Sequence, residues 1–200
     1  MNKLANEVHM VGQVVSKPEF EYSNMDGSFM KSFIQVSRLS GIVDTIPIIY
    51  PEKYVVPSIM EQGTTVIING AFRSRNIMVN GKSKLDLYLY SDDINLADPK
   101  ATSMNEIKLI GYLCKVPVYR TTPLGRDICD ALIAVPRRLH KSDYIPIITW
   151  SRNARYLCIL NVGTKIMING RIQSRIYYKD NKEHVAYEIS ASTIDEVHDD

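Results

Sequence analysis

The sequence predicts an all-β protein built from two similar small barrels. Three observations lead to this prediction: the sequence contains an internal repeat of about half its length, its apolar residues mostly follow strand patterns, and each copy changes to a helical pattern only once. With 200 residues, 45% of them hydrophobic and 23% charged, the chain has a globular composition and enough length for two domains.

The repeat rests on three matches that occur in the same order in both halves. A spacing near 100 residues is a whole domain rather than a solenoid unit of ~20–50 residues. We therefore predict one domain over residues 1–97, a linker over 98–104 and a second domain over 105–197. The matching segments, at offsets of 99, 99 and 100 residues, are Asn6–Gly12 with Asn105–Gly111, Asp44–Ile49 with Asp143–Ile148, and Gly63–Gly70 with Gly163–Gly170.

Each copy opens with an apolar strand that turn residues are expected to lead back into a hairpin. The turn is predicted at Asp26-Gly27 in the first copy and at Pro123–Gly125 in the second. The second copy continues with predicted strands over Ile128–Val135 and Tyr144–Trp150. Pro146 needs an edge or a bulge there, because proline cannot donate a ladder hydrogen bond.

A short helix is predicted after the third strand. In the second copy Ser151 is the expected N-cap, Ala154 and Leu157 share one helical face, and Gly163 is the expected stop. In the first copy Pro57 interrupts the matching segment, so we expect that helix to be short or broken.

A long hairpin completes each copy. In the second copy the strand Lys165–Tyr177 is followed by a turn at Asp180-Asn181 and by the strand Val185–Ile194, and Asn80-Gly81 is the matching turn of the first copy. Five strands with a helix between the third and fourth are the order of an OB-fold. That barrel commonly binds oligonucleotides, but a fold alone does not decide a function.

The charge is distributed unevenly between the copies. Residues 1–100 carry 10 basic and 11 acidic side chains, whereas residues 101–194 carry 14 basic and 7 acidic ones. An anionic partner should therefore prefer the second copy.

The second copy resembles the bacterial single-stranded-DNA-binding protein family from Asn105 to Val197. The matching segments are Asn105–Gly111, Asp143–Trp150 and Gly163–Tyr177, in that order. The first copy resembles the family mainly through its kinship to the second. The resemblance implies non-catalytic binding of single-stranded DNA with little sequence preference, in replication, recombination and repair. It also implies a cytoplasmic protein, of a bacterium or of a phage or mobile element.

Three stacking residues follow from the resemblance. They fall on Tyr144, Trp150 and Tyr177, and the matching positions of the first copy retain a single aromatic residue, Tyr50. The resemblance also implies an assembly of four OB-folds, which a homodimer of this chain would supply. The family's flexible tail with an acidic tip is missing after Val197, which puts recruitment of replication or repair proteins through such a tail in doubt.

The residues themselves point to a binding face in the same region. Strand alternation places Gln173, Arg175 and Tyr177 on one face, which is either a solvated exterior or a platform for phosphates and bases. A basic loop and the matched arginines of the first copy are further candidates for phosphate contact, although such charges are often only solvated. The predicted interface comprises Tyr144, Trp150, Tyr177, Arg175, Gln173, Arg171, Arg137, Arg138, Lys141, Arg73, Arg75 and Tyr50.

Two other functions stay open at this stage. A protein-interaction module of a replication-restart assembly, with weak nucleic-acid binding, would explain the few aromatic residues of the first copy. An accessory domain of a nuclease or modification enzyme is a further possibility.

We expect no catalysis, metal or cofactor, because no His, Cys, Asp or Glu set has ligand spacing and no Gly-rich loop precedes a helix. Cys114, Cys129 and Cys158 are expected to be reduced core thiols of a cytosolic protein. No membrane span is predicted, and Met1–Leu4 lacks the apolar core of a signal peptide.

Overall fold

The computed structural model describes residues 6–198. The expectation about Met1–Leu4 lies outside the described residues. Within them, no helix is long and apolar enough to cross a membrane.

Two compact units make up the described chain. The first unit combines residues 7–106 with residues 174–186, and the second unit combines residues 107–173 with residues 187–198 and with Asn6. The distal part of the last hairpin of the second copy thus belongs to the first unit. The domain boundaries predicted from the repeat, 1–97 and 105–197, stay a prediction.

The first copy forms a closed antiparallel barrel with one parallel contact. β3 pairs with β1 and β4, β5 pairs with β1 and β6, and the parallel pair β4–β6 closes the ring, while β2 flanks β3. The strands are β1 (Asn6–Val14), β2 (Glu19–Asn24), β3 (Gly27–Ser37), β4 (Val43–Pro51), β5 (Thr65–Val79) and β6 (Lys82–Leu96).

The second copy repeats this topology. β9 pairs with β7 and β10, β11 pairs with β7 and β12, and the parallel pair β10–β12 closes the ring, while β8 flanks β9. The elements are β7 (Met104–Leu113), β8 (Val118–Thr121), β9 (Asp127–Pro136), β10 (Ser142–Trp150), α1 (Ser151–Leu157), β11 (Lys165–Lys179) and β12 (Lys182–Glu196). The chain is therefore an all-β protein of two tandem OB-folds, as predicted.

Each copy contains one strand more than predicted. The turn ending at Gly27 joins the short strand β2 to β3, and the turn containing Gly125 joins β8 to β9, so neither turn leads back from the opening strand. Pro146 pairs with Leu132 on one side of β10, and the parallel pairing with β12 begins only at Ile147. The expected edge position of Pro146 is thus confirmed.

The helical segments differ from the prediction in their caps. α1 begins at Ser151, whose φ is 52°, and its N-cap is Trp150 without a side-chain hydrogen bond, so the predicted Ser151 cap is wrong. The helix ends at Leu157, well before Gly163. In the first copy two 3₁₀ helices, Glu52–Tyr54 and Pro57–Met60, replace it, which confirms the broken helix expected from Pro57.

Both long hairpins turn where the sequence predicts. Asn80 and Gly81 have φ of 50° and 74°, and Asp180 and Asn181 have φ of 53° and 56°. Two left-handed residues in a row are the signature of a type I′ turn, which matches the twist of the flanking strands.

The repeated glycine near the start of each long hairpin allows two strands to approach closely. A Cβ at Gly70 would lie 2.2 Å from the carbonyl oxygen of Tyr90, and one at Gly170 would lie 2.3 Å from that of Ser190. No other residue type fits at either position without a backbone shift. Inside the barrels β-branched and aliphatic side chains such as Ile48, Ile68 and Ile168 are fully buried.

Candidate nucleic-acid interface

The outer face of β10 carries two of the three aromatic residues predicted for the second copy. Tyr144 is 46% exposed and Trp150 is 38% exposed, while Ile145 and Ile147 point into the barrel. Strand alternation produces this arrangement because side chains an even number of residues apart lie on the same face. Both rings can therefore meet a base from solvent.

Tyr144 belongs to a row that the sequence did not reveal. It lies opposite Ala134 of β9, and Ala134 lies opposite Tyr112 of β7. Strands are spaced about 4.8 Å apart, so the two tyrosines stand about 10 Å apart on either side of a small residue. Tyr112 is 37% exposed, and the Nζ atom of Lys165 lies 5.9 Å from the centre of its ring.

This row has the chemistry of a nucleic-acid platform. The two exposed tyrosine rings, separated by the small side chain of Ala134, offer faces on which bases can stack. The ammonium group of Lys165 beside Tyr112 can neutralise a phosphate. The register of β7 against β9 supplied the signal for Tyr112, and a register is not visible before strands are paired.

One arginine of the basic loop after β9, the exposed Arg137, pairs with a buried carboxylate. Arg137 Nη1 lies 3.3 Å from an oxygen of Asp143, a carboxylate with no exposed surface. Arg38 and Asp44 form the matching pair in the first copy, at 2.6 and 2.7 Å. The repeated pair neutralises a buried charge, which gives Arg137 a role other than the predicted phosphate contact.

The remaining loop cations are open to solvent. Arg138 and Lys141 are exposed, together with His140. The loop is closed by a hydrogen bond from the Arg137 amide to the Lys141 carbonyl, 2.8 Å long. Two of the three predicted loop cations are thus available to an anion.

Gln173 lies on a covered part of β11. Its side chain is buried and its Nε2 donates to Glu188 Oε1 at 2.7 Å. Arg171, two residues earlier, is half-buried, and its Nη2 donates to Gln173 Oε1 at 3.4 Å. The prediction that Gln173 shares an open face with Arg175 is therefore wrong for Gln173, because side chains of the sheet cover it.

Arg175 and Tyr177 lie on the distal part of the hairpin, in the first unit. Arg175 is exposed, and its guanidinium carbon lies 5.8 Å from the centre of the Tyr177 ring. Tyr177 is half-buried because His184 stacks on it, with ring centres 5.3 Å apart and 23° between the planes. The turn at Asp180-Asn181 brings these two rings together across the hairpin.

Tyr50, the one stacking aromatic that the first copy was expected to retain, is buried. Only 3% of its surface is exposed. Burial, with a smaller contribution from Glu52, raises the pKa of its hydroxyl to about 12. The ring offers no open face to a base. β4 and β10 match at an offset of 99 residues, so Tyr50 corresponds to Thr149, which is also buried, and not to Trp150.

The first copy has a different aromatic cluster, built around Arg75. Tyr22 stacks on Phe29 with ring centres 4.7 Å apart, and the Arg75 guanidinium lies 5.9 Å from Tyr22 and 5.1 Å from Tyr88. Hydrogen bonds and ion pairs join Arg75 to Glu21 and Asp86. The charge of Arg75 is thus already balanced by two carboxylates; Arg73, two residues earlier on β5, is half-buried.

Among residues 6–198 no group of three or more His, Cys, Asp or Glu side chains could hold a metal ion. Cys129 is buried, and burial raises the pKa of its thiol to about 11, with smaller contributions from Cys158 and Asp130. A thiol with that pKa stays protonated and unreactive near neutral pH.

Comparison with known proteins points to one family. The model of the single-strand binding protein family matches residues 104–197. Single-stranded DNA-binding protein 2 of Streptococcus agalactiae serotype V is 31% identical over 96 residues, which cover 44% of this chain and 73% of that protein. Single-stranded DNA-binding protein A of Bacillus subtilis is 29% identical over 99 residues, which cover 46% and 58%.

Solved structures share the fold over nearly the whole chain. The wild-type single-stranded DNA binding protein from Thermus aquaticus gives a TM-score of 0.79 at 17% identity, and covers 98% of this chain and 94% of its own. A deletion mutant of the same protein gives a TM-score of 0.77, also at 17% identity, and covers 100% and 98%. The fold of both copies therefore has solved counterparts.

The burial of Tyr50 predicts how stability depends on alkaline pH. A folded-state pKa of about 12 lies above the unfolded value of 10.0, so the stabilisation is present below pH 10 and is lost as the pH rises towards 12. We expect the melting temperature of the wild type to fall over this range more steeply than that of Tyr50→Phe. Thermal melts from pH 9 to pH 12 measure this, and identical slopes for the two proteins would contradict the burial of the hydroxyl.

Proposed function

Because this chain belongs to the single-strand binding protein family, we propose that it binds single-stranded DNA with little sequence preference and catalyses no reaction. The observation that carries the proposal is the outer face of the second barrel, where exposed aromatic rings stand among basic side chains. Rings bind any base because every base has a π-face, and cations hold the backbone whatever its sequence. Such a protein serves replication, recombination and repair in the cytoplasm.

The interface divides between stacking and charge. We propose Tyr144, Trp150 and Tyr112 as base-stacking residues of the second barrel, and Arg175 with Tyr177 as a further contact on the hairpin. Arg138, Lys141, Arg171 and Lys165 supply positive charge for the phosphates. Arg137, Gln173 and Tyr50 have structural partners or buried positions instead, and Arg73 and Arg75 have a lesser part in binding.

The alternative, an interaction module of a replication-restart assembly, has less support. Both relatives compared above are named for binding single-stranded DNA, and the exposed rings of the second barrel fit that activity directly. The aromatic cluster around Arg75 in the first copy is the feature that a protein partner could use.

Trp150 provides the first test, because it is the only tryptophan of the chain. We expect oligo-dT to quench its fluorescence, and Trp150→Ala to weaken binding by about 1–3 kcal/mol, the contribution of one stacked base. Anisotropy of a labelled dT oligomer, at two salt concentrations, measures the loss for Trp150→Ala and for the control Trp150→Phe, which keeps a ring. If wild type and Trp150→Ala bind equally, Trp150 does not stack on a base.

Tyr112 provides a second test, independent of the family resemblance. We expect Tyr112→Ala to weaken dT binding by about 1–3 kcal/mol, because it removes one wall of the row with Ala134 and Tyr144. Tyr119→Ala is the matched control, since Tyr119 is 42% exposed on the edge strand β8. Equal losses for the two variants would show that the row is not specific to the site.

We further propose that two chains assemble into a homodimer, which brings four OB-folds together. Symmetric pairing is the usual way in which such domains cover exposed strand edges. Light scattering after size exclusion should give a mass near 45 kDa, twice the 22.7 kDa of one chain. A mass near 22.7 kDa at every concentration would exclude the dimer.

A further inference from the structure

The carboxylate of Asp44, on β4, is completely buried and holds a residue far away in the sequence. Its Oδ1 accepts a hydrogen bond from the Ser174 amide at 2.7 Å and lies 3.2 Å from the Ser174 hydroxyl. The Thr45 amide donates to that hydroxyl at 3.2 Å. Arg38 completes the set, with Nε 2.7 Å from Oδ2 and Nη2 2.6 Å from Oδ1. All four residues belong to the first unit.

A buried carboxylate restricts the positions of the groups that donate hydrogen bonds to it, because losing such a bond is costly. Without hydrogen bonds its desolvation would cost several kcal/mol, and bonds to an ionised acceptor are shorter and stronger than neutral ones. Asp44 has donors on both oxygens, one of them a backbone amide. The path of β11 at Ser174 is therefore fixed at the backbone, and not only by the packing of side chains.

The residues that follow this anchor carry the proposed hairpin contact. Arg175 is the next residue and is exposed, and Tyr177 lies two residues further on, within 5.8 Å of the guanidinium carbon of Arg175. Because successive side chains of a strand point to opposite faces, a shift of one residue at Ser174 would turn both Arg175 and Tyr177 to the other face of the hairpin. The anchor thus sets which face of the hairpin carries the Arg175–Tyr177 pair.

We propose that Asp44 and Ser174 are positioning residues that orient Arg175 and Tyr177 for single-stranded DNA, so that β4 of the first copy contributes to binding by holding the hairpin. This inference rests on the proposed function. In this role the first copy needs few aromatic residues, because the buried carboxylate of Asp44 orients side chains that lie on the hairpin of the second copy.

The test uses the full chain and a labelled dT oligomer. Ser174→Ala removes the hydroxyl, and we expect it to weaken binding about two- to tenfold, the range for one hydrogen bond. Ser174→Thr keeps the hydroxyl and should restore the affinity. Ser83→Ala, on the exposed part of the other long hairpin, is the matched control and should change nothing. Asp44→Asn, which keeps the size of the side chain, should lose at least as much as Ser174→Ala.

A double-mutant cycle separates positioning from general stability. Arg175→Ala should weaken binding and reduce the salt slope by about 0.7, the value of one phosphate contact. In the Ser174→Ala background the same change should have a smaller effect, since Arg175 is no longer held in place. Hydrogen exchange of the amides over residues 174–186 should be faster in Ser174→Ala than in Ser83→Ala.

The outcomes distinguish this inference from the function on which it rests. If the wild type binds dT and Arg175→Ala costs the same with and without Ser174→Ala, the positioning role is refuted and the proposed function stands. If Arg175→Ala and Tyr177→Ala bind like the wild type, the hairpin is not part of the interface and the inference also fails. If the wild type binds no dT at low salt, the proposed function itself fails.

Discussion

The closure of each barrel depends on two backbones that come closer than a side chain would permit. A methyl group at Gly70 or Gly170 would press on a carbonyl oxygen of the opposite strand, at little more than 2 Å. In the first copy the register between β5 and β6 shifts at this point, between Asn69 and Ala71. Such irregularities bend a strand and increase its twist, which is what a short barrel needs to close. The glycines therefore recur in the repeat for a steric reason.

The fold could be predicted from the sequence because its determinants are local. Turn residues such as Asn80-Gly81, the break at Pro57 and the alternation along β10 each act over a few residues, and the repeat allowed one copy to support the other. The short strands β2 and β8 were missed because neither is an alternating apolar run; all four residues of β8 are exposed. The predicted Ser151 cap is wrong because the left-handed backbone of that residue cannot be inferred from residue type.

The candidate site was harder to predict, because its determinants are partners distant in sequence. Tyr144 and Trp150 were predicted from the family resemblance, strand alternation places them on one face, and both rings are exposed. Arg137 pairs with a buried carboxylate, and Tyr50 occupies a core position that a stacking residue was expected to fill. Matching Tyr50 to Trp150 uses an offset of 100 residues, whereas β4 and β10 align at 99, and at that offset Tyr50 corresponds to the buried Thr149.

The two copies have kept the same ion pair and changed the same face. Arg38–Asp44 and Arg137–Asp143 occupy matched positions, so the buried carboxylate predates the divergence of the copies or is required by the fold. Arg75 and Arg175 also match; Glu21 and Asp86 pair with the half-buried Arg75, and Arg175 is exposed. Acidic neighbours can thus balance the charge of an arginine that stays in the sequence, which lowers the attraction of that part of the strand for anions.

The imidazole of His184 stacks on Tyr177 and therefore competes with any base for that face of the ring. At the hairpin contact that we propose, a base that stacks on the face of Tyr177 covered by His184 would have to displace the imidazole, so its gain would be the difference between two stacks. Contact area then matters, and a purine, whose ring surface is larger, displaces the imidazole at a smaller net cost than a pyrimidine does. In the absence of DNA the imidazole covers an aromatic surface that would otherwise be wet and available for self-association. His184 thus covers one face of the Tyr177 ring when no base is bound there.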